Sequence, residues 1–121
     1  MDLRLTGQGV VVLGGSQGIG RSIAETFVKE GARVGILDCD EGVRKTAAEL
    51  EAEVSVGDIA KLQDVQTAAE QFGNSLGSVR HVVCAAAVGS GKFGCPFWNL
   101  EPDDWSRVLE VNLMGAVHTA H

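Results

Sequence analysis

The residues with the clearest chemical purpose lie together near the start of the chain. Gly14-Gly15-Ser16-Gln17-Gly18-Ile19-Gly20 places four glycines within one short loop. A diphosphate lying against a protein needs backbone N–H groups aimed at it and no Cβ in the way. Glycines meet both needs, and a helix N-terminus adds partial positive charge. The loop follows an apolar run, Gly9-Val10-Val11-Val12-Leu13, and opens an amphipathic segment, which is the context such a site requires. A simple tight turn needs one or two glycines rather than four. Ser16 offers a hydroxyl. Ile19, the one bulky residue of the loop, is expected to pack beneath it.

Two aspartates stand where a dinucleotide would need them. Asp38 follows the second apolar stretch, Val34 to Leu37. An acid there accepts both hydroxyls of an adenosine ribose and repels a 2′-phosphate, which favours NAD over NADP. Cys39 comes next, in a place where a reader of that phosphate would often carry arginine, and Gln17 is uncharged as well. The plain alternative for Asp38 is a loop acid or helix cap. Asp58 closes the third stretch. It is either an acceptor for the adenine amino group, with Ile59 covering the ring, or the N-cap of a segment starting at Ala60.

Hydrophobic periodicity supplies the scaffold for these groups. Gly9 to Leu13, Val34 to Leu37, Val54 to Val56 and Val79 to Ala86 read as strands, and their continuous apolar character suits a parallel sheet buried on both faces. Ile19, Ile23, Ala24, Phe27 and Val28 make one helical stripe, which Gly31 stops. Asp40 is expected to cap a second helix through Val43, Ala47 and Leu50. Leu62, Val65, Ala69, Phe72 and Leu76 mark a third. A fourth begins near Pro102, with Trp105, Val108, Leu109, Asn112 and Ala116 on one face and further apolar residues around it. A helix apolar on nearly all sides is buried, so this one is expected to pack on the sheet and on a partner. The alternation of strand and helix predicts an α/β fold. It is a single Rossmann-like domain over residues 1–121: a doubly wound parallel sheet in three αβα layers, strand order 3-2-1-4, incomplete at four strands.

Composition excludes several functions. The net charge is −6 with lysines and arginines scattered singly, which argues against nucleic acid as a partner. No apolar run approaches the roughly 18 residues of a membrane helix, and no signal-peptide pattern opens the chain, so a cytoplasmic protein is expected. Cys39, Cys84 and Cys95 have no metal-ligand spacing and read as reduced thiols, Cys84 as a small core residue. No metal site is expected. Phe93, Phe97 and Trp98, in the loop between the fourth strand and the last helix, are expected to pack against that helix rather than line a substrate wall.

Together these residues resemble the short-chain dehydrogenase/reductase family, over the whole chain. Gly14, Gly18 and Gly20 match its Gly-x-x-x-Gly-x-Gly loop, where the ordinary Gly-x-Gly-x-x-Gly fingerprint is not matched. Asp38, the Asp58-Ile59 pair and the segment Trp105 to Gly115 fit it too. The resemblance implies an NAD(H)-dependent oxidoreductase moving hydride between a nicotinamide and an alcohol or ketone. It makes Asn112 the asparagine of an Asn-Ser-Tyr-Lys catalytic set, whose backbone holds a water linked to the lysine. On residue type alone, the alternative for Asn112 is a core amide bonded to neighbouring backbone. The resemblance also places Ala85, Ala86 and Ala87 beside the cofactor.

Two positions depart from the family pattern. Leu13 stands where a threonine is usual, and Cys84-Ala85-Ala86-Ala87 replaces Asn-Asn-Ala-Gly, which is expected to weaken cofactor binding. The chain has no tyrosine, the family's general acid. Family members are roughly twice this length, so the sequence is expected to be a part truncated before the Tyr-x-x-x-Lys segment and inactive alone. Alternatives are a non-catalytic NAD(H)-binding module or a fragment left with an apolar sheet edge. The full-length form is expected to be a homo-oligomer, a dimer or tetramer.

Overall fold

The computed structural model describes residues 1–121. Its centre is β1 (Gly9–Leu13), buried along its whole length. β1 pairs in parallel with β2 (Arg33–Asp38) on one side and β4 (Val79–Cys84) on the other, and β2 pairs with β3 (Glu53–Val56). The strand order is therefore 3-2-1-4, as the pattern of elements predicts. The helices are α1 (Gly18–Lys29), α2 (Val43–Leu50), α3 (Leu62–Ser75), α4 (Pro102–Leu109) and α5 (Gly115–Ala120), with a π-helical turn (Glu110–Met114) between the last two.

The sheet carries one core on each face. Val10, Val12, Val34 and Ile36 point toward α1 and α2, where Ala24 and Val43 meet them. Val11, Leu13 and Leu37 point the other way, toward Ala68 and Phe72 of α3, and toward Ile59 and Val111. Successive side chains of a strand face opposite sides, so a strand between two helical layers must be apolar at every position. Burying a side chain such as Ile36 or Phe72, both at zero exposure, contributes about 1.5–3 kcal/mol. Three layers and a Rossmann-like, unclosed sheet follow.

The structure corrects several expectations at the margins. β4 ends at Cys84 rather than Ala86, and its residues alternate between half-buried and exposed. It is an edge strand, and α5 covers only part of its outer face. Cys84 is consequently exposed rather than a core residue, and Val82 is 53% exposed. Asp40 does not cap α2: Gly42 holds the N-cap position, and the Asp40 carboxylate accepts the Gly42 amide (2.8 Å) in the preceding turn.

The last helix runs without a break from Pro102 to Ala120 through the π-helical turn, but it is not buried: only Val111 and Gly115 are, while Trp105, Leu109, Leu113, Met114 and Val117 remain exposed. It crosses the end of the sheet at Ile59, which touches a narrow strip of its surface. No helix is long and apolar enough to cross a membrane.

Close packing of α3 on the sheet depends on Gly35 in β2. A Cβ there would stand 2.7 Å from the Phe72 ring, so Phe72 fills the space a side chain would take. Gly35→Ala should lower unfolding stability by about 1–3 kcal/mol, the usual cost of overpacking a core. Urea denaturation measures this, and an unchanged midpoint would mean that the ring moves aside freely.

Candidate functional site

The carboxyl ends of β1, β2 and β3 open into one crevice of ≈ 440 Å³, walled on the far side by Ala85 to Val88, Arg107 and Val111. Such ends are where ligands bind in open parallel sheets. At the floor, Gly14 has φ +82°. Its amide donates to the Leu37 carbonyl oxygen (2.8 Å), and the Ala85 amide donates to that of Leu13 (2.8 Å). A Cβ on Gly14 would lie 2.5 Å from the Ala86 nitrogen, and one on Gly20 would strike the Gly14 carbonyl oxygen. Both positions exclude side chains so that α1 can start directly above the strand. Gly18 needs glycine for its backbone, at φ +57°, and borders the outer flank of the loop rather than the crevice. The N-cap of α1 is Gln17, which makes no side-chain cap. The first amides of the helix are left for a ligand.

Ser16 ties the loop in place through its main chain. Its amide donates to Asp38 Oδ2 (3.0 Å), and its carbonyl accepts from the buried Thr46 hydroxyl (2.7 Å). Thr46 is a site residue that sequence reasoning missed, since a threonine inside a helix carries no visible signal. Asp38 Oδ1 accepts from the Asp40 amide (3.0 Å). Each Asp38 oxygen keeps a second lone pair that can face the crevice. Ile19 is not packed beneath the loop: it is 79% exposed at the crevice mouth, because the first turn of α1 points it outward.

Asp58 sits across the crevice from the loop. Its Oδ1 accepts the Ala60 amide (2.9 Å) and its Oδ2 accepts from Arg107 Nη2 (3.0 Å). It is not a helix N-cap, because α3 starts at Leu62 after Lys61. Burial pushes the Asp58 carboxyl up, but the Ala60 amide and the Arg107 guanidinium outweigh that and hold it below its ordinary value. Arg107 also escaped sequence reasoning, because one arginine on an exposed helix face looks like any other. Beside it, burial and the charges of Asp38 and Asp58 push the Cys39 thiol up, which keeps it protonated.

Ile59 is mostly core, 6% exposed, with its remaining surface in the crevice. Its carbonyl meets His118 Nδ1 (2.9 Å), and its side chain lies where Gly115 leaves room. Ala85, Ala86 and Ala87 line the opposite wall. The Ala85 backbone bond to Leu13 persists without the asparagine amides of the family pattern.

Asn112 lies in the π-helical turn and is exposed, not set in an apolar core. Its Oδ1 accepts the Val88 amide (2.8 Å) and its Nδ2 donates to the Val88 carbonyl (2.9 Å). The side chain is spent on fixing the backbone that follows Ala87. Phe93, Phe97 and Trp98 do not pack on the last helix. They are 71–82% exposed, with the Phe97 and Trp98 rings edge-on to each other. A larger groove, ≈ 640 Å³, lies between Leu3, Leu5 and α1, but its walls are almost wholly apolar. The convergent polar groups make the smaller crevice the candidate site.

A profile of the short chain dehydrogenase family matches residues 8–121. The chain belongs to that family. Among curated relatives, 2-dehydro-3-deoxy-L-rhamnonate dehydrogenase (NAD(+)) of Sphingomonas sp. (strain SKA58) is 30% identical, covering 93% of this chain and 45% of the relative. Acetoacetyl-CoA reductase of Synechocystis sp. is 32% identical over 98% of this chain and 47% of its own length. The crystal structure of 3-ketoacyl-(acyl-carrier-protein) reductase from Brucella melitensis complexed with NADH superposes with a TM-score of 0.91 at 30% identity, covering 96% of this chain and 48% of that one. A metagenomic short-chain oxidoreductase in complex with NADP gives 0.83 at 30% identity, over 95% and 54%. The chain thus spans about half the length of the relatives it matches. They are oxidoreductases, and nicotinamide cofactors of both kinds occur among their structures.

The Asp58 carboxyl carries a pH signature. Its folded pKa is depressed, so its contribution to stability is present above the unfolded value of about 3.9 and is lost as pH falls through the folded value. Asp58→Asn should therefore melt below the wild-type chain at neutral pH, with the gap closing as pH drops below about 4. Melting curves across pH measure it. A gap that stays constant into strong acid would assign the effect to something other than the carboxylate charge.

Proposed function

We propose that this chain holds NAD(H) in the crevice, as the cofactor-binding part of an oxidoreductase that moves hydride between a nicotinamide and an alcohol or ketone. The observation that carries the reading is the position of Asp38, bonded to the Ser16 amide at the edge of the glycine loop. The loop and the uncapped start of α1 suit a pyrophosphate, and the free lone pairs of Asp38 suit two ribose hydroxyls. Three carboxylates, Asp38, Asp40 and Asp58, line the crevice against one cation, Arg107, which is paired with Asp58. A 2′-phosphate would meet net negative charge, which favours NAD over NADP. Gln17, Ile19, Gly20, Ile59 and Ala85 to Ala87 would form the remaining walls.

The bound nicotinamide would supply the hydride acceptor or donor. Asn112 fixes Val88 and so shapes the wall next to Ala87; it is the one member of the family's catalytic set within these residues. The exposed apolar face of Trp105, Leu109, Leu113 and Val117 fits an oligomer interface, and a cytoplasmic setting fits the thiols.

Isothermal titration with NAD+ and NADP+, on the wild-type chain and Asp38→Ala, tests the proposal. NAD+ should bind at least about tenfold more tightly, a difference of about 1.4 kcal/mol, and the variant should erase that preference. Preference for NADP+ would reverse the assignment, and no heat from a folded sample would remove it.

A further inference from the structure

Six ion pairs are formed in the structure, and five are local or join neighbouring elements on the surface. The sixth, Arg107 to Asp58, spans the crevice from α4 to the end of β3. Its guanidinium is half in solvent, where an ion pair contributes little to folding. What the pair does instead is hold a carboxylate still. The Asp58 main chain is fixed by its amide's bond to Asp64 Oδ2 (2.8 Å). The side chain is fixed at both oxygens, by Ala60 and by Arg107.

A carboxylate has about four lone-pair positions, and these two bonds occupy one on each oxygen. The remaining acceptors belong to a rigid anion on the crevice wall. Of the crevice residues around it, Gly57, Ile59 and Val111 carry no side-chain hydrogen-bonding group, and the two that do are the Cys39 thiol and Arg107, whose Nη2 is bonded to Oδ2. A carboxylate held in this way accepts from an amino group and repels a carbonyl oxygen. Without Arg107, Oδ2 is unheld, and the carboxylate can turn its free lone pairs away from a ligand.

We propose that Arg107 is a positioning residue that sets purine choice in this crevice: by pinning Asp58 it makes the site select a 6-amino purine over a 6-oxo purine. The proposal rests on the dinucleotide reading above. The test is titration with NAD+ and with its hypoxanthine analogue, deamino-NAD+, which differs only at that position. The wild-type chain should favour NAD+ by about 10- to 100-fold, the worth of a hydrogen bond to a charged group. Arg107→Met should bring the two affinities to within about threefold, chiefly by weakening NAD+. Arg107→Lys, which keeps the charge but not the fork, should fall between.

Asp38→Ala should weaken both ligands and leave the ratio unchanged, which separates purine choice from general damage to the site. If Arg107→Met does not fold, Arg107→Lys carries the test, and a ratio that it leaves at the wild-type value would overturn the role of Arg107. NAD+ and deamino-NAD+ bound by the wild-type chain at a ratio that Arg107→Met leaves unaltered would overturn the role of Arg107 and leave the dinucleotide reading standing. Neither ligand bound by a folded wild-type chain would remove both.

Discussion

A Cβ on Gly14 would stand 2.5 Å from the Ala86 nitrogen, so β1 and the segment after β4 converge only because position 14 carries none. The same residue donates its amide to Leu37 of β2. Three chain segments therefore meet at one main-chain position with no room to spare. The glycine loop, the start of α1 and the alanine wall all take their places from that contact. Close packing of backbone on backbone transmits position rigidly, since there is no side chain to rotate away.

Around that point the crevice is held by bonds from side chain to main chain. Asp38 grips the Ser16 amide, Thr46 grips the Ser16 carbonyl, His118 meets the Ile59 carbonyl, and Asn112 grips Val88 at both its polar groups. Each polar side chain fixes a loop that no strand or helix ladder reaches. The loops thereby gain the definition of regular structure while keeping their outward amides and carboxylate lone pairs free. This division of labour explains why acids can stand so close together here, because each is partly satisfied by amides before any ligand arrives.

The central strands and the glycine loop were legible in the sequence because their constraints are local. A strand buried on both faces must be apolar throughout, and a turn this tight must be glycine. The margins were less legible. Cys84 and Val82 look like core residues in an apolar run, yet β4 is an edge, and nothing in the run tells an edge from a centre. The last helix looks buried by composition, but only the strip at Val111 and Gly115 meets the sheet. Ile19 is apolar and outward for a geometric reason, the phase at which α1 begins. Thr46, Arg107 and His118 act through partners 30 or more residues away in the chain, and such pairings leave no trace in spacing.

The sheet also has a gradient of security. β1 and β2 are paired on both sides and buried, whereas β4 is paired on one side only and half in solvent. Amide protons in the middle strands can exchange only through large openings, and those along β4 through small ones. The crevice draws its floor from the secure strands and one wall, Ala85 to Val88, from the continuation of the insecure strand. Any molecule seated there touches both. Its binding energy is then shared with an edge of the sheet, so occupancy slows hydrogen exchange through every opening that releases it, the large ones of the central strands and any opening of β4 that breaks the alanine wall alike.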